Sequence, residues 1–267
     1  MSRTKVKEWL RDGRIHVNGT STTQHDYPLS PGDRVSVGEP TRSLFASELE
    51  RAGITIVHED DAIVVIDKPA GLLTVATEAE KADTAFACML AYSERLGKPR
   101  PLVVHRLDRD TSGLLLFARS PTARERLQAT WDTVTKTYLA VTASVPRPPS
   151  GTVDNYLLEG RDLRVRSTRS DTLGAKRAIS RYRVLSELGG YALVEVVIET
   201  GRKHQIRVHL AGLGCPIIGD RTYGSTHDPV GRLGLHAHQL AFNHPITGNR
   251  ITLESSLPAA LRRVMGL

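Results

Sequence analysis

Residues 102–118 read LVVHRLDRDTSGLLLFA, and the fold follows from how this stretch is read. Two apolar runs, 102–104 and 114–117, predict short buried strands. Between them lies His105-Arg106-Leu107-Asp108-Arg109-Asp110-Thr111-Ser112-Gly113. This segment is dense in charge and reaches a turn residue only at Gly113. A plain hairpin needs about two to five polar residues with Gly or Asn. Here two arginines and two aspartates stand where core strands meet, so the charges must be paired or used.

The surrounding chain has 267 residues, 40% of them hydrophobic and 24% charged. That is enough for one sizeable globular domain and a small appendage. No apolar run approaches the roughly 20 residues of a membrane span. The first residues, MSRTKVKEWLRDG, lack the apolar core of an export signal, so a cytoplasmic protein is expected. Cys88 and Cys215 sit in apolar surroundings and read as buried free thiols, too few for a disulfide framework. The net charge is +7, and only 8 of the 36 basic residues are lysine. Arginine forks onto phosphate and stacks on bases, so a nucleic-acid partner is expected over a membrane.

Residues 1–40 read as a separate module. Val6, Trp9 and Leu10 fall at helical spacing and Gly13 closes that helix; Ile15-His16-Val17 and Val35-Ser36-Val37 alternate, with the turn signal Asn18-Gly19 between them. Residues 38–48 read as a linker, and 44–267 as the main domain. Strands are predicted at 54–58 and 62–66, a helix at 84–96, and a helix capped by Ser120-Pro121. A strand follows at 135–141, with Tyr138 on the face opposite Leu139 and Val141. After a strand at 193–199, Thr200 is the expected N-cap of a helix over 201–211, which sets Lys203 and Arg207 on one face. A strand over 235–242 and a short helix opened by Pro258 complete the pattern.

Residues 161–183 hold Arg161, Arg164, Arg166, Arg169, Lys176, Arg177, Arg181 and Arg183 against Asp162 and Asp171. In 163–166 the arginines alternate with apolar residues, as do Arg181 and Arg183 with Tyr182 and Val184. Such basic ribbons suit a phosphate backbone.

HRLDRDTSGLLLFA resembles the signature of the RluA family of RNA pseudouridine synthases. Asp67-Lys68-Pro69-Ala70-Gly71-Leu72 upstream and Thr200-Gly201-Arg202-Lys203-His204-Gln205-Ile206-Arg207-Val208-His209 downstream extend the likeness, with Gly219-Asp220 and Tyr223-Gly224 after them. The N-terminal module resembles a partial S4 RNA-binding domain that starts at its second helix, with Arg3, Lys5 and Lys7 as basic helix residues. The resemblance implies an α+β fold: a mixed, mostly antiparallel sheet flanked by helices, behind a small α/β module. It implies isomerisation of uridine to pseudouridine in structured RNA, ribosomal (large subunit favoured) or transfer RNA. It assigns catalysis to Asp108, ion pairing with that residue to Arg207, and packing against the target base to Tyr138.

The residues themselves fit that chemistry. The reaction breaks the C1′–N1 bond, rotates the uracil and joins C5 to C1′. Nothing is oxidised and no atom enters, so no cofactor and no metal is expected. No phosphate-binding P-loop and no dinucleotide fingerprint occurs. Asp108 can serve as nucleophile at C1′ or as base for the 2′ hydrogen. A carboxylate among apolar strands needs a cation to hold it ionised; Arg202, Lys203 and Arg207 all compete for that place on sequence alone. A stacked base must be flipped out, and the flat guanidinium of Arg106 suits the gap it leaves. Arg109, Lys136, Arg164, Arg166, Arg202 and Lys203 are the expected RNA contacts of the main domain. A non-catalytic RNA-binding protein is the alternative; it would share the basic faces but have no use for Asp108.

Overall fold

A computed structural model of the chain describes residues 2–11, 13–38, 49–76 and 84–267. Residues 39–48 of the expected linker lie outside these. At the N-terminal end, α1 (Arg3–Arg11) precedes three short strands, β1 (Ile15–Val17), β2 (Thr20–Thr22) and β3 (Val35–Val37). They form a sheet of their own in the order β2-β1-β3. Asn18 and Gly19 both take positive φ, 51° and 83°, as the tight turn between β1 and β2 demands.

A second sheet carries eleven strands. These are β4 (Thr55–Glu59), β5 (Ile63–Lys68), β6 (Leu102–Val103), β7 (Ser112–Ala118), β8 (Thr135–Thr142), β9 (Ser150–Glu159), β10 (Val165–Thr168), β11 (Lys176–Leu188), β12 (Tyr191–Ile198), β13 (Leu235–Asn243) and β14 (Arg250–Glu254). The order is β10-β9-β11-β12-β8-β13-β7-β5-β4, with β14 beside β13 and β6 beside β7. The sheet is mixed and mostly antiparallel: among the described strands, β13 and β7 are the pair that runs parallel. Helices α2 (Ala85–Arg95), α3 (Pro121–Ala129), α4 (Gln205–Gly212) and α5 (Ala259–Val264) accompany it.

Strand β7 is buried along its whole length. Leu114, Leu116 and Ala118 pack with Ala123 and Leu127 of α3, whereas Leu115 and Phe117 pack with Ala85 and Met89 of α2. Both faces are therefore covered, which is why the strand reads as an unbroken apolar run. Helix α3 begins as expected: the Ser120 hydroxyl accepts from the Ala123 N–H and Pro121 takes the first helical position. Cys215 is buried and Cys88 half-buried.

The ribbon of arginines takes a different form from the one expected. Leu163 is not in a strand; it has φ 61° and lies exposed on the turn between β9 and β10. In β9, β11 and β12 the register brings carboxylates beside the basic residues. Arg177 pairs with Asp154, Arg181 with Glu199 and Arg183 with Glu195. Exposed pairs of this kind add little stability, but they turn much of the ribbon into a ladder of both signs.

The register also sets the centre of the sheet. Gly113 of β7 faces Ala237 of β13, and Ala237 faces Tyr138 of β8. Gly113 has φ 113°, and a Cβ there would lie 2.2 Å from the Ala237 carbonyl oxygen. Only glycine lets the parallel strand come this close. Gly113→Ala is expected to cost about 3 kcal/mol or more, measured by urea unfolding.

Candidate active site

The loop before β7 alternates between anchors and presented groups. His105 stacks on Trp131 with ring centroids 4.7 Å apart, and its Nε2 accepts from the Leu116 N–H at 3.0 Å. Burial, helped by nearby Lys136, pulls the His105 pKa down to about 3, so the ring stays neutral and able to accept. Leu107 is buried, and Thr74 Oγ1 both donates to its carbonyl and accepts from its N–H. Between and after these anchors, Arg106 is exposed and Asp108 half-buried.

The next residue ties the loop to β5. The Arg109 carbonyl accepts from the Gly71 N–H at 2.9 Å and from Lys68 Nζ at 3.0 Å. Lys68 is fully buried and also donates to the Pro69 and Leu72 carbonyls. Burial pulls its pKa down to about 7 against the opposing pull of Asp110 and Asp108. The Asp-Lys-Pro-Ala-Gly segment is thus the strap that fixes the Asp108 loop.

Tyr138 enters the same space from β8. Burial and then the Asp108 carboxylate push its phenol up, so it keeps its proton. A small open cavity lies here, lined among others by Arg106, Leu107, Asp108, Tyr138, Arg202, His204 and Arg207. Asp108, Tyr138 and Arg207 therefore share one cavity.

Helix α4 starts later than the sequence predicts. Gln205 lies at its N-terminus, and its Oε1 accepts from Thr200 Oγ1 and the Arg202 N–H, so residues 200–204 form a turn. Lys203 therefore precedes the helix and shares no helical face with Arg207. His204 is the last residue before the helix, at φ 54°. Its Nε2 stands 3.9 Å from Asp108 Oδ2, and its Nδ1 lies 2.7 Å from Tyr223 Oη. Burial holds the His204 pKa below its usual value although Asp108 opposes this.

Arg207 differs from expectation in its partner. Among the described residues its ion pair is with Asp220, not Asp108: Nε and Nη2 grip the two carboxylate oxygens at 2.8 Å each. Asp220 also accepts from the Thr222 and Tyr223 N–H groups. Burial disfavours the Arg207 charge, but Asp220 and then Asp108 outweigh it and raise the pKa. Asp108 thus feels this cation through the field rather than through a bridge. The physical reason is burial: a guanidinium 7% exposed needs a carboxylate held in register, and the loop after α4 supplies one.

Comparison with known proteins decides the family. The sequence profile of the RNA pseudouridylate synthase family matches residues 62–212. The chain belongs to this family. An S4 domain profile matches residues 2–35. The uncharacterized RNA pseudouridine synthase YlyB of Bacillus subtilis (strain 168) is 37% identical over 265 residues, covering 96% of this chain and 86% of that protein. Ribosomal large subunit pseudouridine synthase D of Vibrio cholerae (El Tor Inaba N16961) is 34% identical, covering 96% and 84%. The solved structure of human RNA pseudouridylate synthase domain containing 4 superposes with a TM-score of 0.67 at 29% identity, over 82% of this chain and 93% of that one. The protein is an RNA pseudouridine synthase that isomerises uridine in RNA.

The expected RNA contacts of this synthase differ in how far solvent reaches them. Arg3, Lys5 and Lys7 on α1, and Arg106, Arg109, Arg164 and Arg202, are exposed. Arg166 and Lys203 are exposed but paired, with Asp162 and Glu159. Lys136 departs from expectation. It is 6% exposed, its ammonium donates to the Trp131 carbonyl at 3.2 Å and lies 5.6 Å from the indole centroid. A carbonyl and a π face hold it in place, so it is not offered to a phosphate. His204, Asp220, Tyr223 and Lys68 received no role from sequence; the signal for Asp220 was the buried charge of Arg207, which had to find an acid. No helix of the described residues is long and apolar enough to cross a membrane.

The Lys68 strap has a pH signature. Its folded pKa lies below its usual value of 10.5, so between about pH 7 and 10.5 the unfolded chain holds the extra proton. Stability should then rise with pH in that window. Relative to Lys68→Met, the wild type is expected to gain about 1 kcal/mol per pH unit there. Urea unfolding of both proteins at three pH values checks this.

Proposed function

We propose that Asp108 is the group that acts at the ribose of the target uridine, within large-subunit ribosomal RNA. The observation that carries this reading is the loop itself: His105 and Leu107 are spent as anchors, leaving the Asp108 carboxylate at a cavity shared with a protonated phenol and a fixed guanidinium. Asp108 either attacks C1′ or takes the 2′ hydrogen to give a glycal. Either route frees the uracil, which rotates and rebonds through C5. The C5 proton then leaves to solvent and N1 gains one.

The other side chains serve this step. Tyr138 lays its ring against the base. The Arg207 guanidinium, held in place by Asp220, faces the same cavity as Asp108 without touching it. Arg106 is exposed at the cavity mouth, where its planar guanidinium fills the stack after the base leaves. Arg164 and Arg202 carry the flanking phosphates, and the α1 cations those of a neighbouring helix. The ribosomal target is supported by relatives named ribosomal large subunit pseudouridine synthase D and by the S4 match. A ribosomal RNA target also implies work in the cytoplasm.

Tritium release from RNA carrying 5-tritiated uridine tests the role of Asp108. Asp108→Asn is expected to lower release at least about 1,000-fold while RNA affinity stays within a few-fold of wild type. Persisting turnover overturns the assignment.

A further inference from the structure

His204 is unaccounted for by the roles given above, yet its Nε2 stands 3.9 Å from the Asp108 carboxylate. Its surroundings fix which ring nitrogen carries the proton. Tyr223 Oη accepts from the Val165 N–H at 3.0 Å and lies 2.7 Å from His204 Nδ1. Burial raises the Tyr223 pKa, so the phenol is protonated, and burial keeps the imidazole neutral. The phenol has one proton to give. If Nδ1 carried hydrogen, that proton would have no partner in a half-buried site, and the bare Nε2 lone pair would face the Asp108 oxygen. Both costs vanish if Tyr223 donates to Nδ1 and Nε2 carries the hydrogen.

Tyr223 is itself held fast. Its N–H donates to Asp220, and its ring lies beneath the Arg207 guanidinium, 5.0 Å from the centroid. The His204 and Tyr223 rings meet edge to face at 79°. His204 also takes a left-handed backbone conformation, φ 54°, which a non-glycine residue adopts at some cost. The imidazole edge is therefore set, not free to turn.

Two groups of opposite hydrogen-bonding sense now stand 3.9 Å apart at the cavity. The Asp108 carboxylate only accepts; the His204 Nε2–H only donates. The gap is too long for a direct hydrogen bond. One oxygen set to the side, about 2.8 Å from each, satisfies both. That oxygen must both donate and accept, which among the groups of a uridine only a ribose hydroxyl does. A uracil carbonyl could answer His204 but not Asp108. With Asp108 acting at the ribose, the hydroxyl adjoining C1′ is the 2′-hydroxyl of the target nucleotide.

We propose that His204, in the Nε2–H form locked by Tyr223, is a specificity-determining residue that binds the 2′-hydroxyl of the target uridine together with Asp108. The enzyme thereby selects a ribonucleotide at the reacting position. The inference rests on the proposed role of Asp108.

The test has two arms. In the free protein, nitrogen-15 NMR of the His204 ring is expected to show the Nε2–H tautomer, with Tyr223→Phe releasing that preference. In turnover, a target-site RNA fragment carries either uridine or 2′-deoxyuridine at the single mapped position. Wild type is expected to prefer the ribose form about 10- to 100-fold. His204→Ala is expected to bring that ratio to near one, and His204→Gln, which keeps an N–H donor, to retain part of it. A folded Tyr223→Phe variant, which leaves His204 in place, is expected to lower the ratio as well. An Nδ1–H tautomer in wild type, or a ratio unchanged by the His204 substitutions, overturns the proposal. Asp108→Asn is the separate control: an inactive control with an unchanged ratio removes this inference and leaves the proposed function standing.

Discussion

A charged loop enters the middle of a sheet whose neighbouring strand is buried on both faces, and the structure is built around holding it there. The hold is made of groups with no net freedom: the Lys68 ammonium and the Gly71 N–H on the Arg109 carbonyl, Thr74 on the Leu107 backbone, and His105 against Trp131. With every second residue spent this way, Arg106 and Asp108 are left facing the cavity. The four-residue pattern His-Arg-Leu-Asp thus alternates side chains spent on packing with side chains turned to the cavity.

The sheet then supplies the distances. Gly113, Ala237 and Tyr138 lie in one row across β7, β13 and β8, so the loop end and the phenol-bearing strand are two strand spacings apart, roughly 10 Å. The glycine is what permits the parallel contact on which that row depends. Across the cavity, Arg207 and Asp220 form a buried bidentate pair that also organises Tyr223 and, through it, His204. A buried pair of this kind adds little net stability; its service here is a fixed charge and a fixed ring beside the carboxylate.

How much of this could be read from sequence depends on the range of each interaction. Local devices were legible: the Ser120-Pro121 cap, the Asn18-Gly19 turn, the apolar run of β7. So was the convergence of Asp108, Tyr138 and Arg207, through the family resemblance. What failed was set by which partner each side chain finds once folded, whether near in the chain or far from it. The Gln205 side chain captures Thr200 and the Arg202 N–H, so α4 starts later than Thr200 suggests. Arg177, Arg181 and Arg183 looked like a phosphate ribbon until strand register set Asp154, Glu199 and Glu195 beside them. Arg207 could have answered Asp108 or Asp220, and sequence spacing does not say that a loop carboxylate, doubly bonded to backbone N–H groups, is the better-held partner. Lys136 was expected to contact RNA but is consumed by Trp131.

The central claim, that a half-buried carboxylate at 108 does the chemistry on large-subunit ribosomal RNA, is tested most directly in cells. Pseudouridines are mapped in the ribosomal RNA of cells carrying either the wild-type chain or Asp108→Asn as the sole copy. The account predicts at least one large-subunit uridine that is converted in the first and left as uridine in the second. Identical pseudouridine maps in the two strains would contradict it.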